Sequence, residues 1–152
     1  MDPDKLTKVY AEFALDVFRQ GFLDNQYVQL QQLQDESEPQ FVLQTATLFL
    51  EDSEKLLNEL CGILDDKEVD FEKLVARVRK LTDSSASIGA RRVKNVCMDF
   101  LNCCEKVSKE GCVDCLKQVR EEYLLVKRKL ESLFKLEKQI LAVGGSLPAW
   151  LQ

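Results

Sequence analysis

The chain has 152 residues, 45% of them hydrophobic and 31% charged, with a formal net charge of -5 and no histidine. That length and apolar content suit one domain whose core needs neither disulfide nor metal to hold it. Basic and acidic residues are interspersed, which argues against a nucleic-acid binder built on a concentrated positive footprint, and no run of about 20 apolar residues is present to span a bilayer.

The acidic start Met1-Asp2-Pro3-Asp4 does not read as a secretory signal. Asp2-Pro3 reads as a helix start, and Leu6, Val9, Tyr10, Phe13 and Val17 share one face up to Gly21. Asp24 is placed to cap a second short helix through Tyr27, Leu30 and Leu33, which the polar stretch Asp35 to Pro39 ends. Val42, Thr45, Phe49, Leu56, Leu60 and Ile63 trace a long helix from Phe41 to Leu64, with an expected interruption near Asp52-Ser53.

Asp70 looks like the next cap, followed by Phe71, Leu74, Val75, Val78 and Leu81 at helical spacing toward Ile88 and Gly89. Val93, Cys97, Phe100, Cys104 and Val107 resume the pattern until Gly111, the next expected break. Val119, Tyr123, Val126, Leu130, Leu133 and Ile140 form the seam of a last long helix, and Gly144 to Pro148 should end order, leaving Trp150 on a tail. Nothing reads as a strand. The expectation is an all-α protein: an up-and-down antiparallel four-helix bundle with two short N-terminal helices packed on it, spanning residues 1–143, then a tail over 144–152.

Five of the six cysteines, Cys97, Cys103, Cys104, Cys112 and Cys115, crowd into one region. A four-thiolate zinc site is one reading of Cys112-x-x-Cys115 with Cys103-Cys104. Adjacent cysteines on a helix point in different directions, however, so free thiols packed inside a bundle in a reducing compartment are preferred, with no metal and no cofactor. Paired carboxylates such as Asp65-Asp66 sit in an apparent surface turn, and without a histidine base no hydrolytic site is indicated.

Two segments carry a family resemblance. Leu23 to Asp35, LDNQYVQLQQLQD, resembles the glutamine-rich second helix of plant histidine-containing phosphotransfer proteins. Ser84 to Asn95, SSASIGARRVKN, is similar almost letter for letter to the stretch that follows their phosphorylated histidine. In that family the motif reads His-Gln-x-Lys-Gly-Ser-Ser, so the resemblance puts Arg79 at the histidine, Lys80 at the glutamine, Thr82 at the lysine and Asp83 at the glycine.

The family's histidine takes phosphate from an aspartyl-phosphate of a receiver domain, because a neutral imidazole nitrogen is a nucleophile near physiological pH. A guanidinium stays protonated and has no lone pair suited to attack. Thr82 removes a cation that would steady a phosphoryl group, and Asp83 adds a negative charge where glycine lets a receiver backbone approach.

The resemblance therefore implies a pseudo-phosphotransfer protein with no catalytic residue and a degenerate phosphoacceptor position at Arg79. Such a protein would bind receiver domains of hybrid sensor kinases and response regulators without accepting phosphate, and would dampen a multistep relay such as plant cytokinin signalling. The expected docking residues are Leu23, Tyr27, Leu30, Arg79, Lys80, Thr82, Asp83, Ser84, Gly89, Arg91, Arg92 and Lys94. Arg79 and Lys80 would enter the receiver's acidic pocket as a charged plug.

Against this stand plainer readings. Arg79 and Asp83 are four apart and suited to an exposed ion pair worth about 0.2 to 0.5 kcal/mol, Arg91, Arg92 and Lys94 suit a solvated face, and Ser84, Ser85 and Ser87 suit backbone hydrogen bonding rather than phosphorylation. The alternative function is a phosphorelay carrier or cysteine-based redox switch using a non-histidine residue. A monomer in cytoplasm and nucleus, with no nucleic-acid or membrane partner, is the expected setting.

Overall fold

The computed structural model describes residues 2–148; Trp150 and its expected place on a tail lie outside the described residues. Six helices follow one another: α1 Pro3–Arg19, α2 Asn25–Leu33, α3 Phe41–Asp65, α4 Phe71–Ile88, α5 Arg91–Glu105 and α6 Lys109–Ala142. Their starts follow from local chemistry. Asp2, Asp24, Asp70 and Ser108 each accept a hydrogen bond from a backbone N–H of the first turn that has no partner inside its helix. The start of α3 has no such cap of its own; Gln34, just past the end of α2, reaches across eight residues so that its Oε1 accepts from Val42 N at 3.0 Å. The intervening turn is held by Asp35, whose carboxylate accepts from Ser37 Oγ and from the backbone N–H groups of Ser37 and Glu38.

Helices α3 to α6 form the antiparallel bundle, α1 packs on α6, and α2 lies against α4 and α3. At 34 residues α6 is about 50 Å long and outruns the 15-residue α5, so its C-terminal half is free to receive α1. Tyr10 of α1 donates to Glu137 Oε2 of α6 at 2.9 Å, while burial raises the Glu137 carboxyl above its ordinary range. Tyr123 Oη donates to the Leu50 carbonyl at 2.9 Å and ties α6 to α3. The core runs through all six helices as one apolar cluster.

One expected break is absent and another is displaced. Helix α3 passes through Asp52-Ser53 without interruption, because Asp52 faces solvent and Ser53 is a small side chain buried where the stripe crosses the core. Gly111 lies inside the first turn of α6, and the break comes earlier, at Lys106 to Ser108. Val107, expected to continue the apolar face of α5, stands beyond its end, 64% exposed and at φ 53.

The helix ends share a device. At the end of α4, Gly89 N bonds Ala86 O and Ala90 N bonds Ser85 O, a left-handed Schellman turn with glycine at φ 84. The same pair of bonds closes α5, from Val107 N to Cys104 O and Ser108 N to Cys103 O, but with a β-branched residue in the left-handed position.

Candidate functional site

Gly89 is fully enclosed, and its backbone conformation is only half of what the position demands. A Cβ there would lie 2.6 Å from Asp24 Oδ1 and 2.7 Å from Tyr27 N. The start of α2 is seated directly on the end of α4: Asp24 N donates to Gly89 O at 2.9 Å, and Gln26 Nε2 donates to Ser87 O at 3.4 Å. Glycine at 89 therefore fixes where α2 stands relative to the outer face of α4.

The residues around this corner are inward-facing. Leu23 and Tyr27 are wholly buried and Leu30 nearly so, which corrects the expectation that they meet a partner directly. One side of the short α2 is consumed by α3 and α4, so these side chains set the position of the helix while Asn25 and Gln29 face solvent. Burial also pushes the Tyr27 hydroxyl well above the usual tyrosine range. Ser85 is buried and donates to Leu81 O at 2.7 Å, and Ser87 donates to Asp83 O at 2.9 Å, as serines satisfying backbone carbonyls do.

Arg92 is partly exposed but engaged with neighbouring side chains. Its Nη2 donates to Glu122 Oε1 at 2.8 Å, its Nε lies 2.8 Å from Glu122 Oε2, and its guanidinium carbon stacks 4.2 Å from the centre of the Phe22 ring. This ion-paired, ring-stacked arrangement joins α5 to α6 and to the α1–α2 connection. Thr82 is half-buried, its Oγ1 donating to Val78 O at 2.8 Å, and it also bonds the Cys97 thiol, which burial pushes up to about 12.

What remains outward is a short row on α4. Arg79, Lys80 and Asp83 are exposed, Ser84 and Lys94 are half-buried, and Arg91 is exposed at the start of α5. The Arg79–Asp83 ion pair does not form; among the described residues the ion pairs are Arg77 to Glu59 and Arg92 to Glu122. The two neighbouring cations diverge, because successive helical residues are about 100° apart. Arg79 rims a shallow apolar hollow lined by Phe71, Glu72, Val75 and Ala76, whereas Lys80 lines the groove between α3 and α4 with Asp52, Lys55, Leu56, Glu59 and Ser84. Arg79 and Lys80 therefore open on different hollows, which does not suit the expected single plug made of both side chains.

Such a surface can present a fixed positive charge beside apolar contact area, and it offers no nucleophile or proton-transfer group at its centre. No group of three or more histidine, cysteine, aspartate or glutamate side chains is arranged to hold a metal ion among the described residues, and no helix among them is long and apolar enough to cross a membrane.

A family model described as "Hpt domain" matches residues 44–135. Histidine-containing phosphotransfer protein 1 of Arabidopsis thaliana is 51% identical over 149 residues, covering 98% of this chain and 97% of that protein. Pseudo histidine-containing phosphotransfer protein 6 of the same plant is 42% identical over 147 residues, covering 95% and 96%. The crystal structure of a histidine-containing phosphotransfer protein from Medicago truncatula superposes with a TM-score of 0.89 at 45% identity, covering 94% of this chain and 97% of that one.

Proposed function

The chain belongs to the plant histidine-containing phosphotransfer proteins, and we propose that within that family it is a pseudo member, which docks on receiver domains without accepting phosphate. The observation that carries this reading is Arg79: exposed, without an ion pair or hydrogen bond among the described residues, at the position where the resembled motif has its histidine, in a chain with no histidine at all.

A receiver's phosphate-accepting pocket is a cluster of carboxylates, and the Arg79 guanidinium meets it as a charge-complementary group that cannot attack phosphorus. Asp83, one turn on, repels an incoming phosphoryl group, and Thr82 has its hydroxyl committed to the helix backbone. The corner at Gly89 supports the same reading, since it keeps α2 beside the α4 face as a docking surface requires. The partners are receiver domains of hybrid sensor kinases and response regulators in a relay of the cytokinin type, engaged by a monomer in cytoplasm and nucleus. The protein competes there with phosphate-carrying relatives.

Titration into a reconstituted relay of kinase, histidine-bearing carrier and response regulator tests it. Phosphoryl transfer to the regulator should slow as this protein is added in excess, and R79E should relieve the slowing by reversing the charge. Transfer that is unaffected at high excess would remove the competitor role. Signalling contacts of this kind can bury less than about 1,200 Å², so micromolar concentrations are the right range.

A further inference from the structure

Four sulfurs converge at the turn between α5 and α6, far from anything the docking face uses. Cys103 Sγ lies 3.8 Å from Cys115 Sγ, and Cys104 Sγ lies 3.8 Å from Cys112 Sγ. All are free thiols. The adjacent positions 103 and 104 point apart on α5, and each finds its own partner one turn apart on α6. We propose that Cys103 and Cys115 form an oxidant-responsive disulfide site, in which a hydroperoxide converts the two thiols into a bond that staples α5 to α6.

Three features single out this pair. The first is access: Cys103 is half-buried, whereas Cys104 is 3% and Cys112 0% exposed, so a solvent-borne oxidant meets Cys103 before either member of the inner pair. The second is the backbone. The Schellman bonds from Val107 and Ser108 to Cys104 and Cys103 hold the end of α5, and Gly111 N donates to Ser108 Oγ at 3.1 Å, so the two helix ends are fixed against each other. The third is Gly111, where a Cβ would sit 2.9 Å from Cys103 Sγ. Glycine there lets α6 approach that sulfur closely without displacing it.

A disulfide needs its sulfurs about 2.05 Å apart, so the pair must close by under about 2 Å, which side-chain rotation on two anchored helix ends can supply.

The chemistry balances with the peroxide as oxidant. The Cys103 thiolate attacks the O–O bond of ROOH, giving Cys103 sulfenic acid and ROH. Cys115 sulfur then attacks the sulfenic sulfur; hydroxide leaves and takes the Cys115 proton as water. In sum, two thiols and ROOH give one disulfide, ROH and H2O. Burial holds the Cys112 and Cys115 thiols up to about 12 and raises Cys104 as well. These sulfurs are protonated at neutral pH, which makes them poor first targets and makes the closing step slow rather than absent.

The reduced full-length chain treated with hydrogen peroxide should lose two of its six thiols and two hydrogens of mass, with a Cys103–Cys115 cross-linked peptide after non-reducing digestion. C103S should abolish the bond. C115S, checked for helical content by circular dichroism, should leave a sulfenic acid on Cys103 that dimedone traps. Retention of all six thiols, a bond between Cys104 and Cys112 instead, or over-oxidation of Cys103 with no cross-link would each overturn the proposal.

Discussion

The outer row of α4 and the corner where α4 meets α2 belong to one sequence motif, yet they are built to opposite rules. In the row, Arg79, Lys80 and Asp83 stand in solvent with no ion pair among the described residues. In the corner, Ser85, Ile88, Gly89 and Ala90 are buried, and Gly89 admits no side chain. Three of the four positions that depart from the resembled motif fall in the row, whereas the matching stretch from Ser84 onward builds the corner. A surface can lose its chemistry without disturbing the core beneath it. On the proposed reading, that is how a chain can keep the family fold while a guanidinium stands where the resembled motif has its histidine.

The sharpest contrast between the two regions should come from stability. G89A forces a Cβ into Asp24 and Tyr27 at a left-handed backbone position, and is expected to cost about 3 kcal/mol or more; R79A in the exposed row should stay within about 0.5 kcal/mol. Urea denaturation of both variants measures the difference, and equal losses would break the distinction.

R92A is expected to fall between them, at about 1 to 2 kcal/mol, because it removes the ion-pair partner of Glu122 and the stack on Phe22. That value is discounted for an Arg92 side chain 37% exposed. A loss as small as that of R79A would return Arg92 to the solvated face and to the docking surface.

The smallest effect has the opposite sign. Val107 occupies at α5 the left-handed position that Gly89 occupies at α4, so V107G should raise stability by about 0.5 to 1 kcal/mol as relief of strain exceeds the entropy cost of glycine. A thermal melt of V107G lower than that of the parent chain would show that this turn carries no strain.

Much of this was legible in the sequence, for physical reasons that differ between elements. Aspartate caps and the glycine at 89 marked helix boundaries because each satisfies a demand made by the backbone alone. Gly111 misled because its reason is tertiary, the approach of α6 to Cys103, and Ser53 misled because a buried serine looks the same in sequence as a helix break. At the candidate site, the motif resemblance located the α4 row and periodicity only its buried side, while the inward orientation of Leu23, Tyr27 and Leu30 depends on how α2 sits across two other helices. The engagement of Arg92 with Glu122, thirty residues away, left no local signal. The separation of Arg79 from Lys80 follows from helical geometry alone, since successive residues stand about 100° apart.

Labelling by a phosphorylated receiver domain separates a pseudo member from a phosphate carrier, comparing this chain with a variant carrying R79H, K80Q, T82K and D83G together. No acid-labile phosphate is expected on the parent chain and stoichiometric label on the fourfold variant, since the corner that positions the face is already in place. Label on the parent chain, or none on a folded fourfold variant, would contradict the proposed pseudo reading.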